Sequence, residues 1–185
     1  MDSLEHGAPM PTIAASVRQR GMAVADPEII AQTGWTTDEL DAAIDEAKPK
    51  GPFDLVTLLI GVNNQYRGRG AEEYRQEFRG LLASAIGFAG GRANRVIVLS
   101  IPDWGVTPFG GGGDRARIGR EIDGFNAMNR EETRRAGARY VDITPISREA
   151  AGNPGLTAGD GLHPSGEMYR RWVELVVPEV VGAVK

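Results

Sequence analysis

The feature that most constrains the fold is the alternation of short apolar runs with long amphipathic segments. Residues 53–60 (FDLVTLLI) and 95–101 (RVIVLSI) are nearly all apolar and rich in branched side chains. Such runs are typical of strands that are buried on both faces of a sheet. A third run covers residues 139–143. Because helical patterns separate these runs, we predict an α/β fold with a parallel sheet and helices on both of its faces.

Five segments carry the apolar spacing of a helix. The predicted helices are residues 9–22, 36–47, 70–88, 114–136 and 165–184. Two prolines would open the first helix, a threonine would cap the second, and Pro178 would bend the last. We also predict a short strand at residues 28–32 and a flexible loop at the glycine-rich residues 110–113.

Size and charge limit the classes of function. At 185 residues, with 41% hydrophobic and 25% charged residues, the chain suits one globular domain, residues 1–185. Its net charge of −4 argues against a nucleic-acid partner, and no apolar run reaches the roughly 18–20 residues of a transmembrane segment. The lack of cysteine excludes disulfides, thiolate metal sites and cysteine nucleophiles. The first residues do not have the pattern of a signal peptide, which favours a cytoplasmic protein for the chain as written.

A first candidate for chemistry is Ser3, within the N-terminal run Asp-Ser-Leu-Glu-His-Gly. A serine on a tight turn before a helix exposes its hydroxyl, and the helix N-terminus favours developing negative charge. By itself, a short Asp-Ser-Leu at a terminus is more often simply a frayed end.

A second candidate group follows two of the predicted strands. Residues 61–64 (Gly-Val-Asn-Asn) come directly after the run at 53–60. Residues at the carboxyl end of a parallel strand line the ligand crevice, and an asparagine amide such as that of Asn63 donates hydrogen bonds to an oxyanion. Gly34 follows the predicted strand at 28–32 and offers a backbone N–H for the same task. A plain turn remains the alternative for both segments.

The third candidate is the run Asp-Gly-Leu-His-Pro-Ser at residues 160–165. The chain has only two histidines, and His163 has a carboxylate, Asp160, three residues before it. A carboxylate beside an imidazole fixes its tautomer and stabilises the imidazolium that forms when a nucleophile loses its proton. The alternative is a loop histidine beside Ser165 as a helix cap.

The order of these blocks resembles the SGNH hydrolases, the GDSL-type esterases and lipases, over essentially the whole chain. The resemblance implies a flavodoxin-like three-layer sandwich. It also implies that Ser3 is the nucleophile, that His163 and Asp160 are its acid–base pair, and that the oxyanion hole consists of Ser3, Gly34 and Asn63. The implied activity is hydrolysis of a carboxylic ester, without a metal or organic cofactor. We expect a short acyl group, because the sequence shows no long apolar lid.

The sequence departs from the family pattern in two places. The family's Gly-x-Asn-Asp block ends here in Asn64, for which we expect a small effect through loop hydrogen bonds. Met1 stands where the family has the glycine of Gly-Asp-Ser, and the apolar strand that normally precedes the serine is absent. We therefore expect an N-terminally truncated chain, with a secreted form possible if an upstream signal was lost. The rival hypothesis is an impaired enzyme or a non-catalytic binding module on the same fold.

Several other residues are expected near the substrate. They are Asn64, Tyr66, Asp103, Trp104 and Phe109, all after predicted strands, with ordinary loop packing as the alternative. His6, three residues after Ser3, is a rival general base that lacks a carboxylate partner at the spacing found for His163. The loop at residues 67–69 (Arg-Gly-Arg) is expected to be solvated rather than an anion site. A nucleotide-binding domain is disfavoured because no glycine-rich phosphate loop follows a strand.

Overall fold

A computed structural model describes residues 12–184 of the chain. Its centre is a parallel sheet of three strands in the order β1-β2-β3: β1 (Val56–Leu58), β2 (Val96–Leu99) and β3 (Arg139–Val141). Val56 pairs with Val96, and Ile97 pairs with Arg139. The predicted parallel α/β fold is confirmed.

Seven α-helices surround the sheet within the described residues. They are α1 (Ile13–Arg18), α2 (Thr37–Ala47), α3 (Val62–Tyr66), α4 (Ala71–Phe88), α5 (Arg115–Arg135), α6 (Thr144–Arg148) and α7 (Gly166–Val184). The predictions at 36–47, 70–88, 114–136 and 165–184 are therefore confirmed within one or two residues. Pro178 lies inside α7, which continues beyond it. None of the described helices combines the length and apolar character that crossing a membrane requires.

The helices cover both faces of the sheet, and β2 shows how the sequence directs this. Val96 and Val98 point into a core with α2, α4 and α5, whereas Ile97 and Leu99 point into a second core with α1 and α7. This is the two-residue period of a strand. All four residues are buried, which explains why the run contains no polar residue. The carboxyl ends of the strands lie at one edge, where open parallel sheets bind ligands.

Three local predictions need correction. No strand forms at residues 28–32: the segment is irregular and Ile29 is 76% exposed, because no neighbouring strand among the described residues pairs with it. The first helix, predicted at 9–22, spans only Ile13–Arg18 of the described residues; Thr12 caps it, and the chain turns at Gly21, which has φ +80°.

The loop at residues 110–113 is also more ordered than predicted. A short 3-10 helix covers Phe109–Gly112. A Cβ atom on Gly110 would lie 2.6 Å from the Gly105 carbonyl oxygen, so this glycine permits a close backbone approach rather than flexibility.

Candidate active site

Asp160 and His163 form a hydrogen-bonded pair within one short loop. Their side chains meet with 2.5 Å between His163 Nδ1 and one carboxylate oxygen of Asp160. The other oxygen accepts hydrogen bonds from the backbone N–H groups of Leu162 and His163, both at 2.9 Å. One carboxylate therefore shapes the turn and orients the imidazole. With Nδ1 held by the carboxylate, Nε2 is the nitrogen available to take a proton.

The electrostatics of this pair favour an ionised Asp160. The hydrogen bond from His163, followed by the two backbone N–H bonds, lowers the pKa of Asp160 to about 2. The carboxylate is therefore charged at neutral pH. The side chain of His163 is 52% exposed, which leaves the ring accessible to a substrate.

Backbone hydrogen bonds join the two ends of the loop that carries the pair. Thr157 and Pro164 form an antiparallel bridge, and the Ala158 N–H donates to the His163 carbonyl at 2.7 Å. Ser165 caps α7, as the sequence suggested: its hydroxyl accepts from the Met168 N–H at 3.3 Å.

Asn63 lies in the first turns of α3, directly after β1. Gly61, the residue before the helix, has φ +116° and no room for a Cβ beside the Tyr74 ring. The Asn63 amide Nδ2 donates to the Trp35 carbonyl at 3.0 Å. Because an amide nitrogen carries two hydrogens, this bond fixes the orientation of the group and leaves the second hydrogen for an oxyanion.

Gly34 lies in the segment before α2, next to Trp35, whose carbonyl accepts from Asn63. It has φ +96°, which suits glycine, and within residues 12–184 no group accepts a hydrogen bond from its N–H. Its carbonyl accepts from Arg67 at 2.7 Å, and Arg67 also pairs with Glu39 at 3.0 Å. The Thr36 N–H and then Arg67 lower the pKa of Glu39, so the ion pair persists at neutral pH.

Asn64, which departs from the family pattern, cross-links the same two segments. It is 1% exposed, and its Oδ1 accepts from the Thr37 N–H at 3.1 Å while its Nδ2 donates to the Thr37 hydroxyl at 2.5 Å. That hydroxyl donates its own hydrogen to Glu77. An aspartate at position 64 would compete with Glu77 for the single hydroxyl hydrogen, so an asparagine suits this network better.

The residues predicted to lie near the substrate include a buried one, Asp103, and an exposed one, Tyr66. Asp103 is 3% exposed and pairs with Arg148 at 2.9 Å, so it braces the loop after β2 from within. Tyr66 is exposed and packs edge-on against Trp104 at 5.2 Å between ring centroids. Ser3 and His6 lie outside the described residues.

Sequence reasoning missed the role of Arg67 and Arg69. Rather than being free in solvent, these side chains pair with Glu39 and Asp38 and so join the start of α2 to the end of α3. The missed signal was the acidic first turn of α2, which supplies both partners. In the part of the chain that the structure describes, no three histidine, aspartate or glutamate side chains cluster as metal ligands.

Comparisons with known proteins define the class. The model of the GDSL-like lipase/acylhydrolase family matches residues 2–171. The chain therefore belongs to this family, and it is a hydrolase that acts on ester bonds. None of the curated proteins compared with the chain matches it.

Solved structures share the fold. The acetylxylan esterase Axe2 from Geobacillus stearothermophilus is 19% identical over 80% of this chain and 68% of its own, with a TM-score of 0.60. A GDSL-family lipolytic protein from Veillonella parvula is 15% identical over 78% and 74%, with a TM-score of 0.58. LAE5, an alpha/beta hydrolase from the Lake Arreo metagenome, is 22% identical over 82% and 70%, with a TM-score of 0.57. Catalytic mutants of Axe2 replace a serine, a histidine, and an aspartate three residues before that histidine.

Proposed function

We propose that the chain is a serine esterase in which Ser3 is the nucleophile and His163, oriented by Asp160, is the general base. The observation that carries this proposal is the 2.5 Å contact between His163 Nδ1 and Asp160. The same Asp-x-x-His spacing among the catalytic mutants of Axe2 supports it.

The reaction follows the acyl-transfer scheme of a Ser-His-Asp triad. His163 Nε2 takes the proton of the Ser3 hydroxyl as its oxygen attacks the ester carbonyl. The N–H groups of Ser3 and Gly34 and the second amide hydrogen of Asn63 stabilise the tetrahedral oxyanion. His163 then protonates the leaving alcohol, and a water molecule releases the acyl group by the same steps.

A short acyl group, such as acetyl, fits the space beside the acid–base pair. A cavity of about 40 Å³ lies under the His163 loop, lined in part by Trp104, Leu162, Pro164 and Met168. A cavity of this size suits an acyl group of a few heavy atoms, such as acetyl, better than a long chain. The acetylxylan esterases among the structural neighbours point to the same acyl group.

The test is labelling with a serine-reactive fluorophosphonate, mapped by mass spectrometry, on the wild type and on His163→Ala. We expect label on Ser3 that falls at least about 1,000-fold in rate in His163→Ala. His6→Ala is the matched control, because it removes the other histidine of the chain and should keep its label.

Three results would contradict the proposal. Label on another serine would exclude Ser3 as the nucleophile. Loss of label in His6→Ala, with label retained in His163→Ala, would make His6 the base. No label in a folded wild type would favour the rival hypothesis of an impaired or non-catalytic protein.

A further inference from the structure

Three aromatic residues cluster on the surface beside the candidate site. This aromatic cluster consists of Tyr66, Trp104 and Phe109. Their ring centroids lie 5.2 Å (Tyr66–Trp104), 6.3 Å (Tyr66–Phe109) and 6.0 Å (Trp104–Phe109) apart. Tyr66 and Phe109 are 53% and 51% exposed, and they are the only aromatic residues among the described large hydrophobics with such exposure. Adjacent exposed rings of this kind mark a binding surface more often than a packing defect.

The aromatic cluster adjoins both halves of the candidate site. Tyr66 lies on α3, three residues after Asn63. The Phe109 backbone N–H donates to the Gly161 carbonyl at 3.0 Å, between Asp160 and His163. Two residues of chain span at most about 7 Å, so the backbone of Phe109 lies close to that of His163.

Polar groups continue directly from the aromatic cluster. The Trp104 indole N–H donates to Gln65 at 2.7 Å, Gln65 donates to Glu121 at 2.8 Å, and Glu121 pairs with Arg117 at 2.9 Å. Arg117 and Glu121 are both partly exposed. Aromatic faces next to a carboxylate and a guanidinium suit a ligand that has an apolar face and hydroxyl groups around its rim.

We propose that the aromatic cluster is a carbohydrate subsite that stacks against a pyranose ring in the alcohol half of the ester. This inference rests on the proposed esterase function. The C–H face of a pyranose covers aromatic rings while its hydroxyl groups reach the exposed end of the polar chain at Glu121 and Arg117. A long acyl chain fits less well, because the cavity of about 40 Å³ is too small for it and charged groups border the rings. The aromatic cluster therefore selects the leaving alcohol rather than the acyl group.

The test compares two acetate esters, the triacetate of methyl β-D-xylopyranoside and ethyl acetate, in Tyr66→Ala and Phe109→Ala. Each variant keeps the backbone, including the Phe109 N–H bond to Gly161. We expect the ratio of kcat/KM for the sugar acetate to that for ethyl acetate to fall about three- to tenfold per ring, mainly through KM. Tyr66→Phe should keep the ratio, and so should Leu175→Ala, which removes an exposed side chain on α7.

An unchanged ratio would overturn the proposal. An equal loss for both esters would also overturn it, because the rings would then only support the catalytic loop. If the wild type hydrolyses neither ester, the esterase function fails separately, and calorimetric titration with xylotetraose decides the subsite. Binding that Tyr66→Ala weakens would support the subsite, and no binding to the wild type would exclude it.

Discussion

The two halves of the candidate site are held in different ways. On the side of the proposed oxyanion hole, called the oxyanion side below, the segments around Gly34 and Asn63 are joined by hydrogen bonds between residues 27 to 33 apart in the sequence. On the acid–base side, every hydrogen bond of the Asp160 carboxylate joins residues at most three apart. The oxyanion side is also partly buried, whereas Asp160 and His163 are about half exposed.

Gly34 and Asn63 are therefore positioned by the fold, whereas Asp160 and His163 are positioned by their own loop. Gly34 and Asn63 keep their relation only while α2 and α3 remain packed together. The acid–base pair forms wherever the loop closes, since one carboxylate supplies the turn and the imidazole contact. We therefore expect changes on the oxyanion side to alter both activity and stability, and changes in the loop to alter activity with little effect on stability.

The largest expected effect in this comparison is that of Asn63→Ala. Loss of the proposed oxyanion donor should lower kcat for an acetate ester about 100- to 1,000-fold, because the donor acts on charge that develops in the transition state. KM should change much less. Steady-state kinetics on ethyl acetate measures both constants.

A stability measurement is the control for this variant. Asn63→Ala loses one hydrogen bond, to the Trp35 carbonyl, which costs about 0.5–1.5 kcal/mol of unfolding free energy. A folded variant with unchanged kcat would remove Asn63 from the oxyanion hole. A variant that is unfolded at the assay temperature would show that the hydrogen bond to Trp35 contributes more to the unfolding free energy than this range.

More of the acid–base side than of the oxyanion side could be predicted from the sequence, because the contacts of the acid–base side are local. Asp160 and His163 are three residues apart, so their contact can be predicted without knowledge of the fold. Three strands and four long helices were also readable, because β2 and α4 carry clear apolar periods. The hydrogen bond from Arg67 to the Gly34 carbonyl joins residues 33 apart in the sequence. These two residues meet only because the fold brings the start of α2 beside α3. The predicted strand at 28–32 failed because strand formation depends on a neighbour that the local sequence does not specify.

The second prediction concerns stability and uses Asn64→Ala. This change leaves the buried N–H of Thr37 without its acceptor, since Thr37 is 0% exposed. The unfolding free energy should fall by about 1–3 kcal/mol. Asp160→Ala should lower it by less than Asn64→Ala does, because the hydrogen bonds of this half-exposed carboxylate are screened by solvent. Urea unfolding of both variants tests the comparison directly, and equal losses would break it.

The smallest expected effect is a shift in the titration of Asp160. Carbon-13 NMR of the aspartate carboxyl groups should give Asp160 a pKa of about 2 in the wild type. In His163→Ala the value should rise toward the ordinary aspartate value of about 3.9, because the contact with His163 is the largest cause of the lowering. It should stay below the ordinary value, since the backbone N–H groups of residues 162 and 163 still donate to the carboxylate.

Because the folded pKa lies below the unfolded one, the contribution of this carboxylate to stability is complete above about pH 4 and disappears as the pH falls through about 2. Asp38, whose pKa is lowered mainly by Thr36 on the oxyanion side, provides an internal reference that should titrate identically in both proteins. A shift of both aspartates in His163→Ala would show that the two halves of the site are coupled, and an unchanged Asp160 would show that the turn alone lowers its pKa.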